Sequence, residues 1–205
     1  MCAVSEQEIE VKFIVGDLAK IEARLKDLGA EPTQARTHEL NLRFDTPGGE
    51  LKRTFQVLRL RQDTAARLTY KGPGVLQEGV RSRQELEFEV SDFSTARRFL
   101  EALGYAVAMI YEKYRTVYDL DGMHVALDEM PYGNFVEIEG PDIPSLQAFN
   151  HRLGLDWSAA VSESYTALFD GLKLRLGLKF RDLLFENFQA VGVAPEDFGA
   201  RLADA

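Results

Sequence analysis

Charged and apolar residues alternate from near the start of this chain. In Glu8-Ile9-Glu10-Val11-Lys12-Phe13, Glu8, Glu10 and Lys12 fall on one face and Ile9, Val11 and Phe13 on the other, the period-two pattern of a strand. The same pattern returns in Leu58-Arg59-Leu60-Arg61, Leu68-Thr69-Tyr70-Lys71, Arg83 to Val90, Lys113 to Tyr118, His124 to Asp128 and Phe135 to Glu139. Leu40 to Thr46 adds a further run in which Arg43 shares the parity of Asn41 and Asp45 and adds another cation. Seven or eight such strands predict a large, mostly antiparallel sheet or a barrel. Pro47-Gly48-Gly49, Asp63 to Ala66, Gly72-Pro73-Gly74 and Asp121-Gly122 read as turns between them.

Three segments switch to helical spacing: Asp17 to Leu28, Asp92 to Leu103 and Asp142 to Leu153. Each opens on an aspartate suited to cap a helix N-terminus and closes on Leu-Gly, suited to a left-handed C-terminal cap. Each follows a strand carrying two glutamates: Glu8/Glu10, Glu85/Glu87 and Glu137/Glu139. These features read as a strand-then-helix unit repeated three times. Beyond Leu155 the alternation stops. Trp157 to Leu172 and Lys173 to Phe188 read as helices, and Pro195 to Ala205 as an end that frays. The expected organisation is a domain over 1–155 and a C-terminal helical extension over 156–205.

The chain has 205 residues, 45% apolar and 28% charged, which is globular composition. Its net charge of −9 argues against nucleic acid or an anionic membrane as partner. The only cysteine, Cys2, permits neither an intrachain disulfide nor a cysteine zinc cluster. With no basic, apolar leader at the N-terminus and no run long enough to span a bilayer, a reducing, cytoplasmic compartment is expected. His38, His124 and His151 show no metal-ligand spacing, although His124 shares the parity of Asp128.

An antiparallel sheet with one wet face shows the same alternation. What distinguishes this chain is that the polar faces are almost wholly charged and nearly balanced. Seven carboxylates (Glu8, Glu10, Glu85, Glu87, Asp128, Glu137, Glu139) stand against seven cations (Lys12, Arg59, Arg61, Lys71, Arg83, Lys113, Arg115). Such a set fits the inside of a closed, inside-out barrel, provided a ligand of matching charge or water fills it. Oxygen-rich anions suit the cations and a hard divalent ion suits the carboxylates, so a metal-bound polyphosphate meets both needs.

Glu8-Ile9-Glu10-Val11-Lys12 resembles the ExExK signature of the CYTH superfamily, the triphosphate tunnel metalloenzymes. The resemblance continues in order through Arg59 and Arg61, Thr69-Tyr70-Lys71-Gly72-Pro73, Arg83-x-Glu85-x-Glu87, Lys113-x-Arg115, Asp128 and Phe135-Val136-Glu137-Ile138-Glu139. It implies an α+β fold: an eight-stranded antiparallel closed barrel, or tunnel, with a charged interior and helices packed outside. It implies Glu8, Glu10, Asp128, Glu137 and Glu139 as ligands of Mg2+ or Mn2+. Glu85 and Glu87 would assist as additional ligands or by supporting the others. Lys12, Arg59, Arg61, Lys71, Arg83, Lys113 and Arg115 would grip phosphate oxygens, with Lys12 and Glu10 nearest the chemistry. The activity it implies is metal-dependent hydrolysis of a small triphosphate: tripolyphosphate, thiamine triphosphate or a nucleoside triphosphate. Class IV adenylate cyclisation of ATP is the alternative, and a polyphosphate or nucleotide binder without turnover the third. The C-terminal helices are expected to pack on the tunnel or plug one end of it, with Tyr165 the residue to watch there and plain helix packing its simpler role.

Overall fold

In the computed structural model, which describes residues 7–205, eight strands close into an antiparallel ring. They are β1 (Gln7–Val15), β2 (Glu31–Asp45), β3 (Val57–Gln62), β4 (Ala66–Gln77), β5 (Val80–Val90), β6 (Ala106–Leu120), β7 (Met123–Met130) and β8 (Gly133–Glu139). Around the ring the order is β1-β5-β4-β3-β2-β6-β7-β8, and β1 pairs with β8 to close it. Closure leaves no free sheet edge, so every strand finds partners on both sides. Cys2 and the N-terminal stretch read for a leader lie outside the described residues.

The inward faces carry the charges, so the apolar faces point outward; helices cover most of them and leave Leu86 and Phe88 of β5 exposed. Helices α1 (Leu18–Asp27) and α4 (Ile143–Leu153) bury Ile21, Leu25, Leu146 and Phe149 against Val11, Phe13, Val125, Val136 and Ile138. Helix α3 (Phe93–Ala102) packs Leu100 on Leu42, Phe44 and Leu60. The aspartates at 17, 92 and 142 cap these helices as the sequence predicts, each accepting backbone N–H groups of the first turn. The three glutamate-bearing strands that precede them become neighbours, because β1 pairs with β5 on one side and β8 on the other. The repeat therefore builds one continuous acidic wall, β5-β1-β8.

Several expectations are corrected. Gly72-Pro73-Gly74 is no turn; β4 runs through it with a register shift between Lys71 and Gly74. A bulge tolerates Pro73, which has no N–H to give to the ladder. The chain reverses instead at Glu78-Gly79, both at positive φ. The Asp121-Gly122 turn, with φ of 53° and 79°, forms as predicted. β2 begins at Glu31, well before Leu40, because its polar first half lacks an apolar face to betray it.

The C-terminal stretch is less helical than its composition suggests. Helix α5 (Tyr165–Leu176) ends at Gly177, whose φ of 67° sets the left-handed cap. Two short helices complete the set: α2 (Glu50–Arg53) lies in the β2–β3 connection, and α6 (Phe185–Phe188) follows α5. Between α5 and α6 the chain is extended, with Leu183 bridged to Tyr111 of β6, so no single helix spans Lys173 to Phe188. Nor does the last stretch fray: Ala203 is 3% exposed and its N–H donates to Ile14, while Asp204 accepts from Gly16. Leu168, Phe169 and Leu172 of α5 complete a core with Ile14, Tyr111 and Phe135. No helix among the described residues is long and apolar enough to cross a membrane.

Candidate functional site

Period-two strands in a closed ring must send alternate side chains into the lumen. The result is a cavity of about 420 Å³. Among the described residues, nine cations and six carboxylates line it, inside a chain whose net charge is −9. An excess of cations suits a ligand rich in negative charge. The carboxylates at 8, 10, 85, 87, 137 and 139 all come from the β5-β1-β8 wall, whereas Arg59, Arg61, Lys71, Lys113 and Arg115 come from the rest of the ring.

Pairing runs largely across the two walls. Lys71 Nζ lies 2.6 Å from Glu8 and 2.8 Å from Glu85. Arg83 lies 2.9 Å from Glu8 and 3.4 Å from Glu10. Glu87 sits 3.3 Å from Arg59 and 3.0 Å from Arg61. Lys12 stands 3.1 Å from Glu137, which also meets Arg115. Burial alone would push the Glu8 carboxyl up, but Lys71 and Arg83 overcome it and hold it at about 2. Burial likewise opposes Glu137, which Lys12, Arg115 and Lys113 draw well below the usual carboxylate range.

The acidic side is crowded at one end. Burial, reinforced by the adjacent Glu8, raises Glu85 to about 7 despite Lys71. Burial and the charge of Glu8 also raise Glu139, with Glu10 adding to the effect. Glu10 and Glu139 are direct cross-strand partners, and His124 is the next residue in that row. His124 is exposed and lines the cavity, with Nδ1 2.6 Å from Asp119. This end, with Glu139 and His124 exposed, is the tunnel mouth.

The other end lies under the first turn of α5. Val161 N–H donates to the backbone of Lys12, and Lys12 Nζ donates to the Glu163 carbonyl at 3.4 Å. Ser164, Tyr165 and Thr166 then line the cavity. Tyr165 is more than a packing residue. Its hydroxyl donates to Asp128 at 2.7 Å, and Lys12 sits over its ring at 4.2 Å. Asp128 is 0% exposed and accepts also from Lys113 (3.0 Å) and Arg115 (2.6 Å), so it stands behind the lining rather than in it. Burial and Asp128 together push the Tyr165 phenol well above its usual range.

The five carboxylates expected to bind metal thus fall into two groups. Glu8, Glu10 and Glu139 line the lumen towards the mouth, while Asp128 and Glu137 hold cations at the deep end. Among the described residues no three acidic, histidine or cysteine side chains are already gathered on one point, because Glu8 is divided between Lys71 and Arg83. The like-charge crowding of Glu8, Glu10, Glu85 and Glu139 is nevertheless the environment a divalent cation relieves, and an all-oxygen donor set suits Mg2+ or Mn2+.

The sequence reading missed Glu39. It is 0% exposed, lies 3.6 Å from Lys113 and 3.7 Å from Arg61, and makes no hydrogen bond. Burial opposes its charge, but Lys113, Arg115 and Arg61 hold it at about 2. Asn41, two residues on, is equally buried with its amide unsatisfied. Arg81, Tyr111, Ser164 and Thr166 also join the lining. Alternation in Glu39-Leu40-Asn41-Leu42-Arg43 carried the signal for Glu39; the serine and threonine sit at a helix start, where a strand pattern cannot find them.

The CYTH domain signature matches residues 6–146. Among solved structures the chain is similar to an adenylate cyclase candidate from Vibrio parahaemolyticus, at 21% identity and a TM-score of 0.70 over 82% of this chain and 99% of that one. It is similar to a Pyrococcus horikoshii protein at 26% identity and a TM-score of 0.66, over 78% and 98% of the two chains. It is also similar to HpAC1 from Hippeastrum, an adenylyl cyclase candidate described as having a dominant triphosphatase activity, at 23% identity and a TM-score of 0.58 over 80% and 95%. No curated protein matches the chain.

Proposed function

The chain belongs to the CYTH domain family, and from that premise we propose that it hydrolyses the terminal phosphate of a small triphosphate held with a divalent metal in the tunnel. The observation that carries this reading is the division of charge along the lumen. Carboxylates crowd one another near the mouth, and cations outnumber acids over the lining as a whole.

Glu8, Glu10 and Glu139, with Glu85, would hold the metal, which supplies charge neutralisation to the phosphate oxygens. Arg59, Arg61, Lys71 and Arg83 grip the middle of the phosphate chain. Each exchanges part of its carboxylate contact for phosphate oxygen, so the lumen stays near neutrality when loaded. Lys12, Lys113 and Arg115 face the terminal phosphoryl group at the deep end. Their fixed positive charge stabilises the negative charge that shifts to the bridging oxygen as water attacks phosphorus and that P–O bond breaks. Lys12 is held for this by Glu137 and the Tyr165 ring. The covering turn of α5 limits water at that end to the molecules that fit the lumen.

We favour hydrolysis over cyclisation because, among the described residues, fifteen of the 23 that line the cavity are charged, a surface that suits phosphate oxygens better than a purine. Product identification tests this. The protein is incubated with tripolyphosphate, thiamine triphosphate and ATP, each with Mg2+ or Mn2+. Orthophosphate release from at least one supports the reading. Cyclic AMP with pyrophosphate from ATP, or binding without any product, overturns it.

A further inference from the structure

The seven cations picked out by alternation are all neutralised: Lys12, Arg59, Arg61, Lys71, Arg83, Lys113 and Arg115 each have a carboxylate within 4 Å. Two further lining cations, Arg43 and Arg81, form no salt bridge among the described residues. Arg81 is engaged with the Ser162 carbonyl. Arg43 is in a different position. Its one hydrogen bond goes to a neutral partner, the Thr166 hydroxyl, at 3.0 Å. Its cross-strand partner on β3 is another arginine, Arg59. The carboxylate nearest in sequence, Asp45, is already taken by the backbone N–H groups of Thr46, Leu51 and Lys52 around α2. Burial and the like charges of Arg59 and Arg83 push the Arg43 guanidinium down from its ordinary value.

A half-buried cation with cationic neighbours and no acid in salt-bridge contact, Asp45 acting on it only at longer range, is destabilising in itself. Packing does not call for it, because Leu42 and Phe44, on the opposite face of the same strand, supply the outer core. Its place explains it. Arg43 touches the first turn of α5, at the end of the lumen away from Glu139 and His124. An extended polyanion drawn in through that mouth arrives with its terminal phosphate leading.

We propose that Arg43, with the Thr166 hydroxyl beside it, is the receptor for the terminal phosphate of the substrate, and so a specificity-determining residue that reads the full length of a triphosphate chain. This rests on the triphosphatase reading. An arginine kept for an anion rather than for the fold has a signature that a structural arginine lacks. Removing it strengthens the ligand-free protein while weakening the complex.

The test compares wild type with Arg43→Met, Arg43→Lys and Thr166→Val by calorimetry with metal-free tripolyphosphate and pyrophosphate, and by thermal unfolding without ligand. Losing charge-assisted hydrogen bonds from Arg43→Met should weaken tripolyphosphate by roughly tenfold or more. Pyrophosphate, which the cations further out can satisfy, should lose less than about threefold by the same reasoning. The unfolding temperature of the ligand-free Met variant should rise. Arg43→Lys should keep most of the affinity, and Thr166→Val should lose a few-fold. Unchanged tripolyphosphate binding in Arg43→Met, or equal losses for both anions, overturns this proposal alone. No tripolyphosphate binding by the wild type even when Mn2+ is added overturns the triphosphatase reading, and this proposal with it.

Discussion

Asp128 lends itself to a sharp prediction, because its position in the structure differs from the role the family resemblance implies. Its carboxylate is 0% exposed and accepts from Lys113, from Arg115 and from the Tyr165 hydroxyl. Asp128→Ala would leave Lys113, 2% exposed, with only the non-hydrogen-bonded Glu39 at 3.6 Å. Arg115 would retain Glu137, which it shares with Lys12. Breaking a buried ion pair by removing one partner costs about 3–5 kcal/mol. For a chain of this size each kcal/mol moves the midpoint by about 2–4 °C, so the expected fall is roughly 6–20 °C. The assay is thermal unfolding in EDTA, repeated with Mn2+. Tyr165→Phe, which removes one hydrogen bond to a charged acceptor, should cost about 1.5–3 kcal/mol. The double variant should fall short of the sum, since both changes act on one network. A midpoint within about 2 °C of wild type in EDTA, or a loss that emerges only when Mn2+ is present, would refute the reasoning and return Asp128 to the metal site.

Three other outcomes are expected. Glu139→Gln should weaken Mn2+ binding, followed by electron paramagnetic resonance, with little effect on stability; Glu137→Gln should do the reverse, because it releases Lys12 and Arg115. Stability should also depend on pH in two opposite ways. Glu8 and Glu39 sit at about 2, below the ordinary 4.5, so the stability they contribute is lost as pH falls from 4.5 towards 2. Glu85 sits at about 7, so the folded protein holds its proton more tightly than the unfolded chain does, and stability falls as pH rises from 4.5 through 7. Denaturant titrations across this range should show that second decline shrink in Glu85→Gln, with Glu139, which is also raised, leaving a remainder; an unaltered profile would remove Glu85 as a source. Finally, Phe169→Ala in α5, at 0% exposure, should cost about 3–5 kcal/mol, and a loss under 1 kcal/mol would mean that α5 is not integral to the core.

How much of this was legible beforehand follows from geometry. Period-two alternation reports which side chains share a face, so the carboxylates of β1, β5 and β8 and the paired arginines of β3 stood out at once. It does not report which strands become neighbours. The gathering of three glutamate pairs into one wall, and the separation of Glu8, Glu10 and Glu139 from Asp128 and Glu137, emerge only from ring order and register. Tyr165 stood out only as a residue to watch, with packing its simpler role, because it reaches the lumen from a helix, where spacing marks it as core. The extended course around Leu183 escaped because its hydrogen bonds go to β6, residues distant in the chain. Pro73 misled because the residues of a turn also serve a bulge.

The central claim is that the inward charges form one binding tunnel for a metal triphosphate. Calorimetric titration of tripolyphosphate into the protein with Mn2+ tests it most directly. Expected is a single saturable site, weakened by salt and weakened about tenfold by substitution (Lys71→Ala) of Lys71, whose Nζ lies between Glu8 and Glu85. A folded protein that shows no saturable binding, or binds equally well without Lys71, contradicts it.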